Sequence, residues 1–272
     1  MKDRIQNPSK TQPDYFILTG EHSGDNHAYH FTKELLEQNP DLKIEGILGP
    51  KLRSLGLAQF MPMENFQVMG FIDVLISFPK IYQQFKRTLK HLLKNPPKVL
   101  VLVDYPGFNL RLAKHLRKHG YKGKIVKFVC PTVWAWGKAR IKDMEEHLDE
   151  LLCIFPFETK LFDPKKLSVS YIGNPSAEQV KNHSYDPSWK KSIGLEDGKI
   201  IAVFPGSRKK EITSNFPLML KTLEQFKQNH AEARFVISIA DDSLGEYILK
   251  LCKDSRLSLN EDLFFVGRKH SF

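Results

Sequence analysis

The sequence predicts an α/β protein with parallel, doubly wound sheets in two Rossmann-like domains. Short apolar segments of strand length alternate with amphipathic helical segments along the 272 residues, and this order is typical of parallel sheets. Val99–Val103 reads VLVLV, which is the continuous apolar run expected of a strand covered on both faces. The alternation pauses over the polar range 173–189 and then resumes, so we expect two domains.

The first domain is predicted over residues 14–175, after a flexible leader at 1–13. Apolar residues at helical spacing predict helices over 26–38 and 110–119. The predicted strands lie at 15–19, 44–48, 99–103, 124–129, 150–154 and 168–172.

The second domain is predicted over residues 199–272, after a linker at 176–198. This is roughly half of a typical nucleotide-binding domain, and an open sheet without its remaining strands would expose an apolar edge. We therefore expect the second domain to be truncated. Its predicted strands lie at 200–204, 234–239 and 263–266, with helices over 216–228 and 244–252.

Composition restricts the class of protein and its location. The chain is 41% hydrophobic and 26% charged, which is ordinary for a soluble globular protein. The polar N-terminus lacks the apolar stretch of a signal peptide, so we expect a cytoplasmic protein. Cys130, Cys153 and Cys252 form no CxxC pair, which favours buried, reduced thiols over a metal site or a disulfide.

The net charge of +10 has three candidate explanations, which are nucleic acid, an anionic membrane surface and a phosphorylated substrate. The sequence carries no nucleic-acid-binding motif, so nucleic acid is the least favoured. Charge alone leaves the other two open.

The loop GEHSGD at 20–25 directly follows the first strand and opens a helix. Its glycines allow close backbone approach, and the start of the helix offers unpaired N–H groups to an anion or a sugar hydroxyl. The alternative is a tight turn in which Ser23 or Asp25 caps the helix. The candidate cleft residues are Gly20, Glu21, Ser23, Gly24 and Asp25.

Asp104 ends the buried run VLVLV and begins a second loop, which also contains Asn109 as a further cleft residue. A carboxylate at the end of a buried strand is costly unless it is paired or used. Its position suits a general base that removes a proton from a sugar hydroxyl. The alternative, that Asp104 caps the following helix or hydrogen-bonds to the backbone, is equally favoured by the spacing.

A third loop after the strand ending near residue 129 carries Trp134 and Trp136. Ligand contact and a plug over the core are both open readings. Lys138 and Arg140 follow, and solvated surface is the favoured interpretation for both.

In a fourth loop, Gly206 allows a diphosphate to approach the backbone, while Ser207 and Arg208 are candidate donor-binding side chains.

The segment 68–82 is unusually apolar and precedes several lysines and arginines. Phe78, Ile81, Phe85 and Leu89 recur at helical spacing, so a core-facing helix is the default interpretation. An exposed apolar patch beside cations, suited to acyl chains and a membrane face, is the alternative.

Together these segments resemble the lipid-A-disaccharide synthase family. The resemblance implies a GT-B fold and inverting transfer of a diacylated glucosamine from a UDP donor to a diacylated glucosamine 1-phosphate, without a metal ion or other cofactor. It also implies a protein on the cytoplasmic face of the inner membrane, with a homodimer as a possible assembly. The matching segments are GEHSGD (20–25), VMGFIDVL (68–75), VDYPGFN (103–109), PTVWAWGKAR (131–140), FPFE (155–158), IGNP (172–175) and FPGSR (204–208).

By the same resemblance, Asp104 is the candidate base, Arg208 binds the donor phosphate and Ser23 lies at the active-site cleft. The implied acyl and membrane patch is Ile72, Val74, Leu75, Phe78 and Ile81.

Three positions depart from the family pattern: Gly107 replaces a common aspartate, Asn174 replaces a histidine and Cys130 replaces a serine.

Two functions other than this glycosyl transfer stay open. One is a non-catalytic module that binds the lipid acceptor. The other is a different GT-B enzyme that uses UDP-N-acetylglucosamine, which the apolar segment 68–82 disfavours because a soluble sugar needs no acyl surface.

Overall fold

The computed structural model describes residues 12–66, 71–195 and 199–267, with the side chains of 71–78 and 178–179 left aside. The chain divides into two compact units between Lys181 and Asn182. Each unit has a parallel sheet of its own.

The first unit is built on a seven-stranded sheet in the order β3-β2-β1-β4-β5-β6-β7. Every described pairing in it is parallel. The chain winds outward from β1 in one direction and then from β4 in the other, so the strand order reverses between these two neighbours. The strands are β1 (Tyr15–Leu18), β2 (Ile44–Leu48), β3 (Ala58–Pro62), β4 (Val99–Val103), β5 (Lys124–Phe128), β6 (Glu150–Cys153) and β7 (Ser168–Tyr171).

Helices cover the two faces of this sheet, and alternate residues of its strands enter two different cores. Leu100 and Leu102 of β4 lie in a core with side chains of α3, α4 and α5, whereas Val101 and Val103 lie in a core with α1 and α2. This is the period-2 alternation of a sheet that is apolar on both sides. The helices are α1 (His22–Gln38), α2 (Pro50–Arg53), α3 (Phe71–Lys94), α4 (Pro106–Lys118), α5 (Ala139–His147) and α6 (Pro175–Lys181).

The second unit has a three-stranded parallel sheet in the order β10-β9-β8. The predicted linker 176–198 contains all of α7 and most of α6, which belongs to the first unit. Trp189 and Leu195 pack with Val236 of the central strand of the second unit. Its elements are α7 (Trp189–Ser192), β8 (Ile200–Val203), α8 (Lys209–Asn229), β9 (Arg234–Ser238), α9 (Asp242–Cys252) and β10 (Leu263–Val266).

Four helices begin earlier than the sequence predicts, and one strand was not predicted. Helices α1, α4, α8 and α9 begin at His22, Pro106, Lys209 and Asp242, because their first turns carry the polar, glycine and proline residues that also mark loops. The strand that was not predicted is β3, which reads AQFMP. Only one of its residues is buried, so it lacks the apolar run that marks the other strands. Among the described helices, none is both long and apolar enough to cross a membrane.

Gly46 tests how tightly the neighbouring strands β1 and β2 are packed. A Cβ atom at this position would overlap the carbonyl oxygen of Ile17 on β1. We expect Gly46→Ala to lower the free energy of unfolding by on the order of 1–3 kcal/mol, the usual cost of overpacking.

The matched control is Gly107→Ala, because no neighbouring atom lies within 4 Å of an added Cβ there. Chemical denaturation should find the control unchanged or slightly more stable, since alanine favours a helix. Equal losses in the two variants would contradict this account of β1–β2 packing.

Candidate active site

The candidate active site lies where β1 and β4 end side by side. These strands pair in parallel from Tyr15 with Val99 to Leu18 with Leu102, so their carboxyl ends meet at one edge. The strand order reverses at this pair, and ligands of open α/β sheets bind at such points. The sheet thus brings the first and second predicted loops together.

Asp104 occupies a strained turn after β4. Its φ is 46° and that of Tyr105 is 44°, a left-handed conformation that is uncommon for residues other than glycine. The half-buried Asp104 carboxylate accepts a hydrogen bond at Oδ2 from Ser23 Oγ, over 3.0 Å. Helix α4 is capped at Tyr105 without a side-chain hydrogen bond, so the alternative that Asp104 caps this helix is wrong.

Gly20 lets the chain before α1 approach the turn after β4, because a Cβ there would overlap the ring of Tyr105. A Cβ on Gly24 would lie 3.5 Å from the Cβ of Asp104, which is an ordinary van der Waals contact. Glycine is therefore required at position 20 for this approach. Tyr105 has its pKa raised by burial, with a smaller contribution from the charge of Glu21.

Asp25 has a different role from the one the sequence predicts. It is 2% exposed, and its carboxylate accepts the backbone N–H groups of Lys51 at 2.8 Å and Leu52 at 3.2 Å. It thus caps α2, not its own helix α1, whose N-cap is Glu21. A Cβ on Gly49 would overlap this carboxylate, which explains the glycine at the start of α2.

Two buried side chains donate hydrogen bonds to the backbone of the Asp104 turn from the core side. Asn109 Nδ2 donates to the carbonyl oxygens of Val103 at 3.2 Å and Asp104 at 2.8 Å. Lys127 Nζ donates to the carbonyl oxygens of Asp104 at 2.7 Å and Phe128 at 3.1 Å. Burial lowers the pKa of Lys127 to about 8, against the opposing influence of the Asp104 charge.

His27, like Lys127, is a site residue that the sequence prediction missed. It lies one helical turn after Ser23, on the side of α1 that packs against Phe128 with ring centroids 6.2 Å apart. Burial lowers its pKa, while the Asp104 carboxylate opposes this effect. Its Nδ1 atom is buried without a hydrogen-bond partner in the described part of the chain.

The third loop places its tryptophans at the surface. Trp134 and Trp136 are 46% and 61% exposed, so the reading of these rings as a core plug is wrong. Arg140 lies over the Trp136 ring at 4.8 Å. Beneath Trp134 lies the buried carboxyl group of Glu158, whose pKa is raised by burial.

The three cysteines are buried and free of disulfides. Cys130 and Cys153 lie with Glu158 close enough for the three to share a metal ion. The hydrogen bond with the neighbouring Cys153, and then burial, raise the pKa of the Cys130 thiol, which disfavours the thiolate that a metal ion needs.

The fourth loop belongs to the second unit, after β8. Gly206 has a φ of 134°, and Glu211 Oε2 accepts the backbone N–H groups of Ser207 at 2.9 Å and Arg208 at 3.2 Å. These bonds hold the pKa of Glu211 below its usual range. The Arg208 side chain is 75% exposed and lies 3.6 Å from Glu211.

The predicted acyl and membrane patch lies mostly outside the described side chains, because Ile72, Val74, Leu75 and Phe78 fall within 71–78. Ile81 is half-buried against the main core, beside the buried Phe85. Tyr82 of α3 is exposed, and Lys86 lies over its ring at 4.6 Å.

The model of the lipid-A-disaccharide synthetase family matches residues 15–268. A lipid-A-disaccharide synthase of Chlamydia pneumoniae is 38% identical over 235 residues, which are 86% of this chain and 38% of that protein. The enzyme of the same name from Geobacter sulfurreducens is 33% identical over 89% of this chain and 63% of its own length. The chain therefore spans about two fifths of the chlamydial relative and less than two thirds of the other.

Solved structures with the same fold include two with a uridine nucleotide. A UDP-GlcNAc 2-epimerase from Neisseria meningitidis bound to UDP-GlcNAc has a TM-score of 0.59 at 8% identity, over 94% of this chain and 72% of that one. The S. aureus MnaA–UDP co-structure has a TM-score of 0.61 at 10% identity, over 94% and 68%. These likenesses confirm the predicted GT-B-like class of α/β fold.

His27 predicts an acid sensitivity of stability. Because burial lowers its pKa below 6.5, the unfolded chain binds more protons as the pH falls from this value to the folded pKa. The free energy of unfolding therefore decreases across that window and is preserved above it. We expect His27→Gln to weaken this dependence in denaturation series from about pH 7 to pH 5.

The control is His30→Gln, at an exposed position of the same helix. If both variants showed the same pH dependence, the half-buried His27 ring would not be its source.

Proposed function

The chain belongs to the lipid-A-disaccharide synthetase family, and we propose that it acts in the glycosyl transfer for which its relatives are named. The proposed donor is UDP-2,3-diacylglucosamine and the acceptor is 2,3-diacylglucosamine 1-phosphate. The products are UDP and the β-1,6-linked disaccharide 1-phosphate. The observation that carries this proposal is the Asp104 carboxylate, held by Ser23 at the reversal of strand order.

In the proposed reaction Asp104 is the general base. Ser23 donates to Oδ2, which leaves Oδ1 to take the proton of the acceptor's 6-hydroxyl group. The hydroxyl oxygen then forms a bond to the anomeric carbon of the donor as the bond to the UDP oxygen breaks. Attack from the face opposite UDP inverts the anomeric centre, and the bonding electrons leave with UDP.

The proposed donor contacts are Gly206, Ser207 and Arg208. Glu211 now accepts the backbone N–H groups of this loop, which is the pattern of bonds that a phosphate oxygen would make at a helix N-terminus. A donor diphosphate would replace the Glu211 carboxylate at these amides. The exposed Arg208 guanidinium would bind its charge in bidentate fashion.

The acyl chains and the membrane are assigned to α3. The proposed surface consists of Ile72, Val74, Leu75, Phe78 and Ile81, followed by the exposed cations Lys86, Arg87 and Lys90. The net charge of +10 suits both the phosphorylated acceptor and an anionic inner-membrane surface. We assign the protein to the cytoplasmic face of that membrane, with a homodimer as its proposed assembly.

Asp104→Asn tests the base directly. The amide keeps the size of the side chain but cannot take the proton, so we expect kcat to fall about 10²–10⁴-fold. UDP release from the defined donor and acceptor, measured with the full chain, gives the rate. Asp143→Asn, on the exposed part of α5, is the control and should keep wild-type activity.

Transfer that survives Asp104→Asn would remove Asp104 from this role. Acceptor binding by the wild-type chain without any turnover would make it a lipid-binding module instead.

Arg208→Ala tests the donor contact. Loss of a charged hydrogen bond costs about 1.5–3 kcal/mol, so kcat/KM for the donor should fall about 10–100-fold. We expect Arg208→Lys to recover part of the loss, because it keeps the charge without the planar fork.

The control is Arg256→Ala, at an exposed position of the same unit. Equal kinetic effects at Arg208 and Arg256 would show a general effect of surface charge and no donor site.

A further inference from the structure

Lys127 is a lysine inside a hydrophobic core. It is 0% exposed, and the alternation along β5 puts it on the same face as Ile125 of the main core. Burial of an ammonium group without partners would cost several kcal/mol. Only two described acceptors, the carbonyl oxygens of Asp104 and Phe128, compensate for this cost.

Those two carbonyl groups connect the ends of two neighbouring strands. The Phe128 oxygen also accepts the backbone N–H of Asp104 over 3.0 Å, and the Asp104 oxygen also accepts from Asn109. Lys127 therefore bridges the end of β5 to the end of β4. Its ammonium group lies directly behind the turn that presents the Asp104 carboxylate.

Each carbonyl group is followed by strained backbone. Tyr105 follows Asp104 with a φ of 44°, and Val129 follows Phe128 with a φ of 70°. A β-branched residue at such a φ is an outlier, and each strained residue costs on the order of 1–3 kcal/mol unless its surroundings hold it. Glycine, which would relieve the strain, is absent from positions 104, 105 and 129.

We propose that Lys127 is a positioning residue for Asp104, whose ammonium group holds the two strand ends in the left-handed conformation that turns the carboxylate toward Ser23. The inference rests on the proposed function for its kinetic consequence, but its structural part stands without it. Lys127 itself does not touch substrate. It acts only through the backbone of the Asp104 turn.

Protonation of Lys127 gives this role a pH dependence. The titratable groups that face its Nζ are the Asp104 carboxylate and the Cys130 thiol, which lies beside Glu158. Burial lowers the pKa of Lys127 to about 8, so the ammonium form predominates below this pH and the neutral amine above it. The neutral amine donates weaker hydrogen bonds, so kcat should fall as the pH rises through about 8.

Lys127→Met tests the role, because methionine fills the core position but donates no hydrogen bond. Hydrogen exchange of the full chain should become faster at the amides of Asp104 and Asn109. The kcat should fall about 10²-fold with KM little changed, the size of effect that follows a small misplacement of a catalytic group. The alkaline decrease in kcat near pH 8 should disappear.

Lys124→Met is the matched control, since Lys124 begins the same strand and pairs with Glu150 at the surface. It should keep wild-type exchange at Asp104 and the wild-type pH profile. A wild-type kcat and wild-type exchange in Lys127→Met would overturn the proposal.

Lys127→Gln covers the case in which the methionine variant does not fold. Glutamine keeps N–H donors without the charge, so we expect an intermediate kcat and no alkaline decrease in kcat. An unchanged kcat together with an unchanged alkaline decrease in this variant would also overturn the proposal. If the wild-type chain shows no transfer at all, the proposed function fails, and the exchange measurement alone still decides whether Lys127 holds the Asp104 turn.

Discussion

The first unit depends on the close approach between the first turn of α1 and the turn after β4. The parallel pairing of β1 with β4 brings both segments to one edge, and the contact leaves no space for a side chain at Gly20. Ser23 can reach the Asp104 carboxylate only because of this approach. One packing constraint therefore sets both the geometry of the sheet's central edge and the position of the candidate base.

Buried polar groups collect at the same edge for an electrostatic reason. Strands that end together leave carbonyl and amide groups without a partner strand, and each of these must be bonded. Asn109 and Lys127 supply donors to the carbonyl groups after β4 and β5, while Asp25 accepts the amides that begin α2. The polar interior is therefore a requirement of the fold as well as a setting for chemistry.

Much of the fold was predictable, because the sheet's apolar runs are explicit in the sequence. β2, β4 and β10 match their predicted bounds, and the loops after β1 and β4 were predicted to carry cleft residues. The start of α1 was not, since its first turn reads as a loop. The roles of Asp25 and Lys127 depend on contacts with residues 26 and 23 positions away. Local pattern carries no signal for such contacts, and the second lysine of KIVKFV, Lys127, reads as an exposed strand residue.

The loops after β4 and β8 both contain residues with positive φ values, but different residues adopt them and different groups hold the two loops in place. In the second unit, Gly206 adopts the positive φ, and the bonds that Glu211 makes to the loop can be exchanged for those of another anion. In the first unit, Asp104 and Tyr105 adopt positive φ values and are held by buried donors that no ligand can replace. A loop that must bind and release a charged group gains from glycine and a displaceable carboxylate. A base must keep its direction through the reaction, and a strained turn held from the core provides that rigidity.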